Sequence, residues 1–577
     1  MSKKYELYRA GDASLPEETL AWNMYGPGVE NIGRDNRPES FPIPRPNDDQ
    51  MLVRIDSVGL CFSDVKLIRQ GGNHPKLYNR DLAIEPGRLG HEVSFTVIEV
   101  GRNLQDRYHP GQRLAVQPDI YQQGKSTAYG YTVPGGLIQY HLMGAEMLET
   151  DAGACLLPLE EKMGYAESAL LEPWGCVMAS YTQRRRLEPK EGGIMWIVGR
   201  PGDARSYRFS AGLHAPATIV LTDVPSSIQE AAAQTGARII QRDGLAFDQI
   251  AALAVELTGD KGFDDIVILD PRSAAMVGQI AKVAARRGTI NMVGETALDG
   301  LVDADVGRLH YDYIAFVGNT GPDIAASYGE ARNRCELHPD GTTVVIGAGG
   351  PMGQMHVQRA IELPNGPRQI IATELNDDRL AAIQKRFAPL AAKNGRTLHT
   401  FNPTAGQSLR EYVMQTTDDL GADDVVVCVP VSSLMGEAAT VMNQNGMLVL
   451  FAGVPNGTLA PLDLSTVYLH NGQFTGTSGL TLEDQALVME RAIDGSLSPG
   501  RSVAAIGGMN AALEGIEAMI DGRYPGKILI FPQIPELPLM GLDELEEKLP
   551  AVAAKLGADG SWNNEAEAAL IESNWQG

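Results

Sequence analysis

The segment GTINMVGETALDGLVDADVGRLHYDYIAFVGNTG, residues 288–321, returns in altered form as GMLVLFAGVPNGTLAPLDLSTVYLHNGQFTGTSG, residues 446–479. Gly288 aligns with Gly446 and Gly318 with Gly476 at a constant offset of 158, and upstream GFDDIVILDP (262–271) matches GADDVVVCVP (421–430) at 159. Self-similarity over this length is the mark of one structural unit written twice. Each copy alternates apolar strand-like runs with Ala-rich helical stretches, the pattern of βαβ units around a parallel sheet. The expected fold class is therefore α/β, with two tandem doubly wound parallel sheets. Copy one covers 192–325 and copy two 341–480, joined by the polar stretch SYGEARNRCELHPDG.

The rest of the chain has a different texture. Residues 1–190 carry short apolar runs such as MLVRIDSVGL and EVSFTVIEVG, broken by Gly and Pro at close intervals, which reads as a β-rich domain. The segment 481–533 opens helical and closes in the strand-like GKILIFP, completing that domain, and the tail 534–577 holds nine acidic residues against two lysines. Within the tail, LDELEEKLPAVAAKL reads as one amphipathic helix in a solvated cap or an oligomer contact. At 577 residues the chain has room for roughly three or four domains.

A net charge of −24 repels nucleic acid phosphates and anionic headgroups, which argues against both as partners. The five cysteines (Cys61, Cys155, Cys176, Cys335, Cys428) are scattered, with no CxxC pair, so a reducing compartment fits. The absence of a signal-peptide core or a membrane-length apolar run makes the cytoplasm the expected location.

Copy two begins TTVVIGAGGPMGQMHVQRAIEL: an apolar strand, a glycine cluster and a helix. Passage of the backbone beside a pyrophosphate requires residues without Cβ, and a helix N-terminus behind them offers free N–H groups. Gly347, Gly349, Gly350 and Gly353 fill that role, although from Gly347 the spacing is GxGxxxG rather than GxGxxG. The next strand, RQIIATEL, ends near Glu374, where a carboxylate accepts both ribose hydroxyls and repels a 2′-phosphate, favouring NAD over NADP. In copy one Gly199 and Gly202 remain, but Ala204, Arg205, Ser206 and Tyr207 crowd the place of the third glycine. Copy one is thus expected to be structural, imitating the partner sheet of a dimer, with Asp223 leaving a ribose contact open.

The N-terminal region offers Cys61 in GLCFSD, His91 and Glu92 in PGRLGHE, and Glu172 in ALLEPWG. Catalytic zinc takes about three protein ligands of S, N or O type and keeps one position open. Joined to PGQRLAV (110–116), GGLIQY (135–140) and GKILIFP (526–532), these motifs resemble the medium-chain zinc-dependent alcohol and polyol dehydrogenases, especially sorbitol dehydrogenases and L-sorbose 1-phosphate reductases. The likeness covers residues 1–190 and 341–533, leaving copy one as an addition.

That resemblance implies a GroES-like β-rich catalytic domain and an NAD-linked oxidoreductase acting on a polyol, sugar or sugar phosphate, with one catalytic zinc. Cys61, His91 and Glu172 look like its ligands, with Glu92 able to approach the metal or exchange with Glu172. Ser63 falls where the alcohol proton is taken and Asp64 where a carboxylate orients the site; Lys66 stands where relatives often carry a histidine relay. A homo-oligomer, dimer or tetramer, is expected. The run Arg184, Arg185, Arg186 reads as a solvated helix end unless the substrate is phosphorylated, and Tyr121, Tyr129, Tyr131 and Trp174 line a sugar pocket or pack the core. Two other readings stay open: a zinc-free quinone-type reductase and a noncatalytic nucleotide-binding protein.

Overall fold

The structure, a computed structural model, describes residues 3–183 and 185–577. It comprises two compact units: one gathers the residues up to Met178 with Gly350–Met355 and Leu480–Gly577, the other Ala179–Gly349 with His356–Gly479. No described helix is long and apolar enough to cross a membrane.

In the first unit eight strands form one sheet. The order is Leu156–Pro158, Arg113–Val116, Glu92–Val100, Met51–Gly59, Lys527–Phe531, Val503–Gly508, Met540–Gly541, with Tyr140–Met143 also paired to Met51–Gly59. Met51–Gly59 is buried along its whole length, which it tolerates because its two charges neutralise each other: Arg54 Nε donates to Asp56 Oδ1 at 2.8 Å. The Tyr8 ring lies 3.6 Å from the same guanidinium. Strands from both ends of the chain thus close a single core.

The tail departs from the sequence expectation. Pro550 interrupts the anticipated amphipathic helix, because its ring cannot follow Leu549 in helical geometry, and two short helices, Leu545–Lys548 and Pro550–Ala553, result. Nor is the tail a solvated cap. Trp562 and Trp575 are buried, Trp575 meets Tyr8 edge-on, and the fully buried Glu567 accepts the N–H groups of Tyr165 and Ala166 at 2.6 and 2.7 Å, capping the helix Tyr165–Ala169.

The second unit holds two six-stranded parallel sheets. Named by first residues, copy one runs Arg238, Thr218, Ile194, Phe263, Ala284, Ala315, and copy two Thr397, Gln369, Thr342, Ala422, Met442, Gln473. Both follow the doubly wound order 3-2-1-4-5-6, so the fold is α/β, with two Rossmann-type sheets in this unit and a GroES-like domain in the other.

The two sheets are joined by a symmetric seam. Strand Val302–Asp305 pairs antiparallel with Leu459–Leu462, Asp303 lying opposite Pro461, its own equivalent 158 residues on, while Val302 meets Leu462 and Ala304 meets Ala460. An element that pairs with its own copy in this way marks a pseudo-two-fold axis, the arrangement of an isologous dimer interface within one chain. A continuous hydrophobic core runs through both copies.

The polar joining stretch belongs to the repeat. Arg334 pairs with Asp424 and donates to the carbonyls of Asp423 and Asn445; Arg186, 148 residues earlier, pairs with Asp265 and donates to the carbonyls of Asp264 and Arg287. Arg186 therefore clamps a strand rather than ending a solvated helix, and Arg185 donates to Thr475 Oγ1 at 3.0 Å; Arg184 lies outside the described residues.

Candidate active site

Strand pairing in the first unit brings the chemistry together. Met51–Gly59 and Glu92–Val100 are antiparallel, with Gly59 opposite Glu92, so Cys61, just beyond one strand end, meets His91, just before the other strand. A Cβ on Gly59 would fall 2.1 Å from the Glu92 carboxylate, so a side chain there would displace Glu92 from its present position. Cys61 is also the N-cap of helix Phe62–Gln70, where Asp64 Oδ2 accepts the Cys61 N–H at 3.2 Å, closing a capping box.

Cys61 Sγ, a His91 ring nitrogen and a Glu92 carboxylate oxygen all lie within 4.8 Å of one another. Asp64 Oδ1 sits 3.3 Å from His91 Nδ1, the placing of a carboxylate that orients a ligating imidazole. Burial alone would lower the His91 pKa, yet the charges of Asp64 and Cys61 push it well above its ordinary value. Convergent negative charge of this kind favours a cation among these donors, and Glu92 Oε2 is buried without a hydrogen-bond partner. A soft sulfur, an imidazole and a hard oxygen are a donor set suited to zinc.

Glu172 is not one of these three donors. It lies in the first turn of helix Leu171–Thr182, is 6% exposed, and accepts from Cys176 Sγ at 3.6 Å. Burial pushes its carboxyl up; the charge of His91 acts against that shift and the charge of Glu92 adds to it. Ser63 Oγ is 3.6 Å from Cys61 Sγ on the first turn of the capped helix, and Lys66 is exposed on the same helix.

Lys527, in GKILIFP, escaped assignment. Its strand pairs with Met51–Gly59, and its buried ammonium donates to Glu92 Oε1 and to the Leu60 carbonyl, the latter at 2.8 Å. The sequence signal is a lysine opening a strand that is otherwise wholly apolar, and every residue of that strand is buried. Of the four aromatics singled out, Tyr131 flanks the site, its ring 5.9 Å from that of His91. Tyr129 and Trp174 are core residues bonded to His141 and Ser502, and Tyr121 is exposed.

In copy two, Gly347 adopts φ +79°, a Cβ on Gly349 would fall 2.2 Å from the Glu374 carboxylate, and Gly350 and Gly353 lie at the start of helix Pro351–Glu362. Glu374 Oε2 accepts the Gly349 N–H at 3.1 Å, and Oε1 accepts from Leu375 and Asn376, so the glycine loop and the carboxylate form one structure. In copy one, no helix follows Ile194–Val198. Residues 199–217 are irregular, with Tyr207 and Leu213 packed on the sheet face.

Comparison with known proteins agrees with this geometry. Residues 47–150 match the family described as alcohol dehydrogenase GroES-like domain, and residues 351–493 match zinc-binding dehydrogenase. The chain is 27% identical over 325 residues to L-sorbose 1-phosphate reductase of Klebsiella pneumoniae, covering 53% of this chain and 76% of that protein. It is 22% identical over 552 residues to mannitol-1-phosphate 5-dehydrogenase of Aliivibrio fischeri, covering 93% and 95%. Alignment with this last relative extends over nearly the whole chain, whereas the match to the sorbose reductase covers 53% of it. The fold is also that of 2R,3R-butanediol dehydrogenase from Bacillus subtilis, with TM-score 0.50 at 15% identity over 89% of this chain and 99% of that one. These matches assign residues 47–150 and 351–493 to zinc-binding alcohol dehydrogenase families, and with the polyol and sugar-phosphate dehydrogenase relatives they support an NAD-linked oxidoreductase of the medium-chain type.

Proposed function

We propose that the protein transfers a hydride between NAD(H) and the secondary alcohol or ketone carbon of a polyol phosphate or sugar phosphate. One zinc ion would be held by Cys61, His91 and either Glu92 or Glu172. The convergence of sulfur, imidazole and carboxylate within 4.8 Å carries this reading. When bound, the ion supplies the Lewis acidity that makes an alcohol acidic near neutral pH, and the dinucleotide accepts or returns the hydride.

The chain's own groups do the rest. Asp64 fixes the His91 ring through Nδ1 and holds the Cys61 backbone, so the two donors keep one relative orientation. Ser63 takes the alcohol proton at Oγ, and the exposed Lys66 stands at the solvent end of that path. Lys527 restrains Glu92, so exchange of Glu92 with Glu172 at the ion requires breaking that pair. In copy two, Gly347, Gly349, Gly350 and Gly353 admit the pyrophosphate, and Glu374 keeps lone-pair capacity for the ribose hydroxyls.

Two relatives named for phosphorylated substrates favour a phosphorylated one here. The test is metal analysis combined with NADH absorbance on mannitol 1-phosphate, L-sorbose 1-phosphate and sorbitol. One zinc per chain and turnover fastest with a phosphorylated substrate are expected. Turnover by zinc-free protein would instead identify a quinone-type reductase, and NADH binding without turnover a noncatalytic protein. We further place the protein in the cytoplasm, a reducing compartment in which its five scattered cysteines would stay unoxidised. Any homo-oligomer would use a surface other than the internal seam, and light scattering reads the mass.

A further inference from the structure

Copy one lacks a glycine-loop helix, yet the crevice at the carboxyl ends of its strands is open. A cavity of about 410 Å³ lies there, between strands Ile194–Val198 and Phe263–Leu269, where the strand order reverses. Crevices at this switch point are where doubly wound sheets take ligands, and this one is within the size range of small-molecule sites.

Its lining is divided by chemistry. The inner part is apolar, formed by Trp196, Leu245, Ile250, Ile268, Met276 and Val277. The hydroxyls beside it are already engaged: Thr222 Oγ1 accepts from Trp196 Nε1 at 2.9 Å, and Ser273 Oγ accepts the Met276 N–H in capping its helix. Each hydroxyl accepts there and keeps its own O–H to donate to a ring nitrogen of a ligand. At one side stands Asp223, ending strand Thr218–Thr222 in the left-handed region at φ +50°. Its Oδ1 accepts the Gly244 N–H at 3.0 Å, which leaves Oδ2 for a ligand hydroxyl. At the rim Arg200 and Arg272 both bond Asp270, each at 2.8 Å, so one carboxylate holds two half-exposed guanidiniums in place with a net positive charge. Residues 199–217 form no helix, so the first crossover presents no row of helix N–H groups to a pyrophosphate.

We propose that this cavity binds an adenine mononucleotide. The weakly polar base would occupy the apolar slot, the ribose diol would meet Asp223, and one phosphate would meet Arg200 and Arg272. The site is separate from the dinucleotide loop of copy two and does not depend on that assignment.

Calorimetric titration of the full-length protein with AMP tests the proposal, with NADH titrated in parallel. One AMP per chain is expected, with adenosine binding about tenfold more weakly for want of the phosphate contacts. Met276→Trp, which fills the apolar slot, and Asp223→Asn, which keeps a residue tolerant of left-handed backbone but removes the charge, should each weaken AMP at least tenfold and leave NADH unchanged. Gly349→Val should do the reverse. Thermal melts confirm that each variant is folded, and AMP should raise the melting temperature of the wild type but not of Met276→Trp. The proposal is overturned if millimolar AMP gives no saturable heat, or if AMP binding survives both copy-one variants. Loss of AMP binding in Gly349→Val would place AMP in copy two and equally overturn it. Loss of NADH binding in Met276→Trp would instead refute the assignment of the dinucleotide to copy two.

Discussion

The two Rossmann copies share a strand order, an arginine clamp and a symmetric seam, but they differ at the first crossover. Copy two follows its first strand with glycines and the 12-residue helix Pro351–Glu362; copy one follows its own with irregular chain. The second crossover differs too, with 17 helical residues in Asp377–Lys393 against 8 in Ser226–Ala233. Gly199 persists because a Cβ there would meet the Asp223 carbonyl at 2.3 Å, a constraint of the strand ends rather than of any ligand. What a parallel sheet needs is apolar cover on both faces, and Tyr207 and Leu213 supply that cover where the helix is missing. A pyrophosphate needs the helix terminus itself. The fold thus tolerates a loss that the phosphate site does not.

The largest effect is expected where the copies agree. Arg186→Ala and Arg334→Ala should each destabilise the second unit by about 4 kcal/mol, because Asp265 and Asp424 are then buried without their cation. Burial holds both carboxyls above their ordinary pKa, against the pull of the arginines. The folded state therefore keeps protons that the unfolded chain gives up, and this contribution to stability falls as pH rises past the ordinary carboxylate range. Removing an arginine raises those carboxyls further, so in urea melts each deficit should be smaller at pH 5 than at pH 8. Since one core crosses the seam, both variants should shift one shared transition; two separate transitions would break the symmetry argument.

Next in size is Tyr207→Ala. Tyr207 is 2% exposed and donates to Asp203 at 2.8 Å, and its loss should cost about 3 kcal/mol in the same melts without altering NADH affinity. A destabilisation below about 1 kcal/mol would mean that the irregular segment does not stand in for the absent helix.

Much of this comparison was legible in the sequence. The offset of 158 announced two sheets, and the glycine clusters told apart a kept loop and an altered one. The missing helix was not legible, because Ala204–Tyr207 carry no proline or further glycine and read as crowding rather than as irregular chain. The arginine clamps were hidden because Arg186 and Arg334 find their carboxylates 79 and 90 residues away, beyond any local pattern. In the candidate site motif order named Cys61, His91 and Glu172 as ligands with Glu92 beside them, but it is Glu92 that the fold groups with Cys61 and His91, and Lys527 reaches Glu92 across 435 residues, by strand pairing alone.

The glycine loops give the smaller tests. Gly349→Val drives a side chain into the Glu374 carboxylate and should weaken NADH about a hundredfold, equivalent to about 2.7 kcal/mol, in fluorescence titration. Its nearest counterpart in copy one is Gly202, where a Cβ would meet nothing within 4 Å and only φ +78° opposes substitution. Gly202→Ala should therefore cost about 1 kcal/mol of stability, the strain of a left-handed alanine, and leave NADH affinity within twofold of wild type. An NADH defect from Gly202→Ala as large as that from Gly349→Val would mean that the irregular copy holds the cofactor, and would reverse the division of labour between the two sheets.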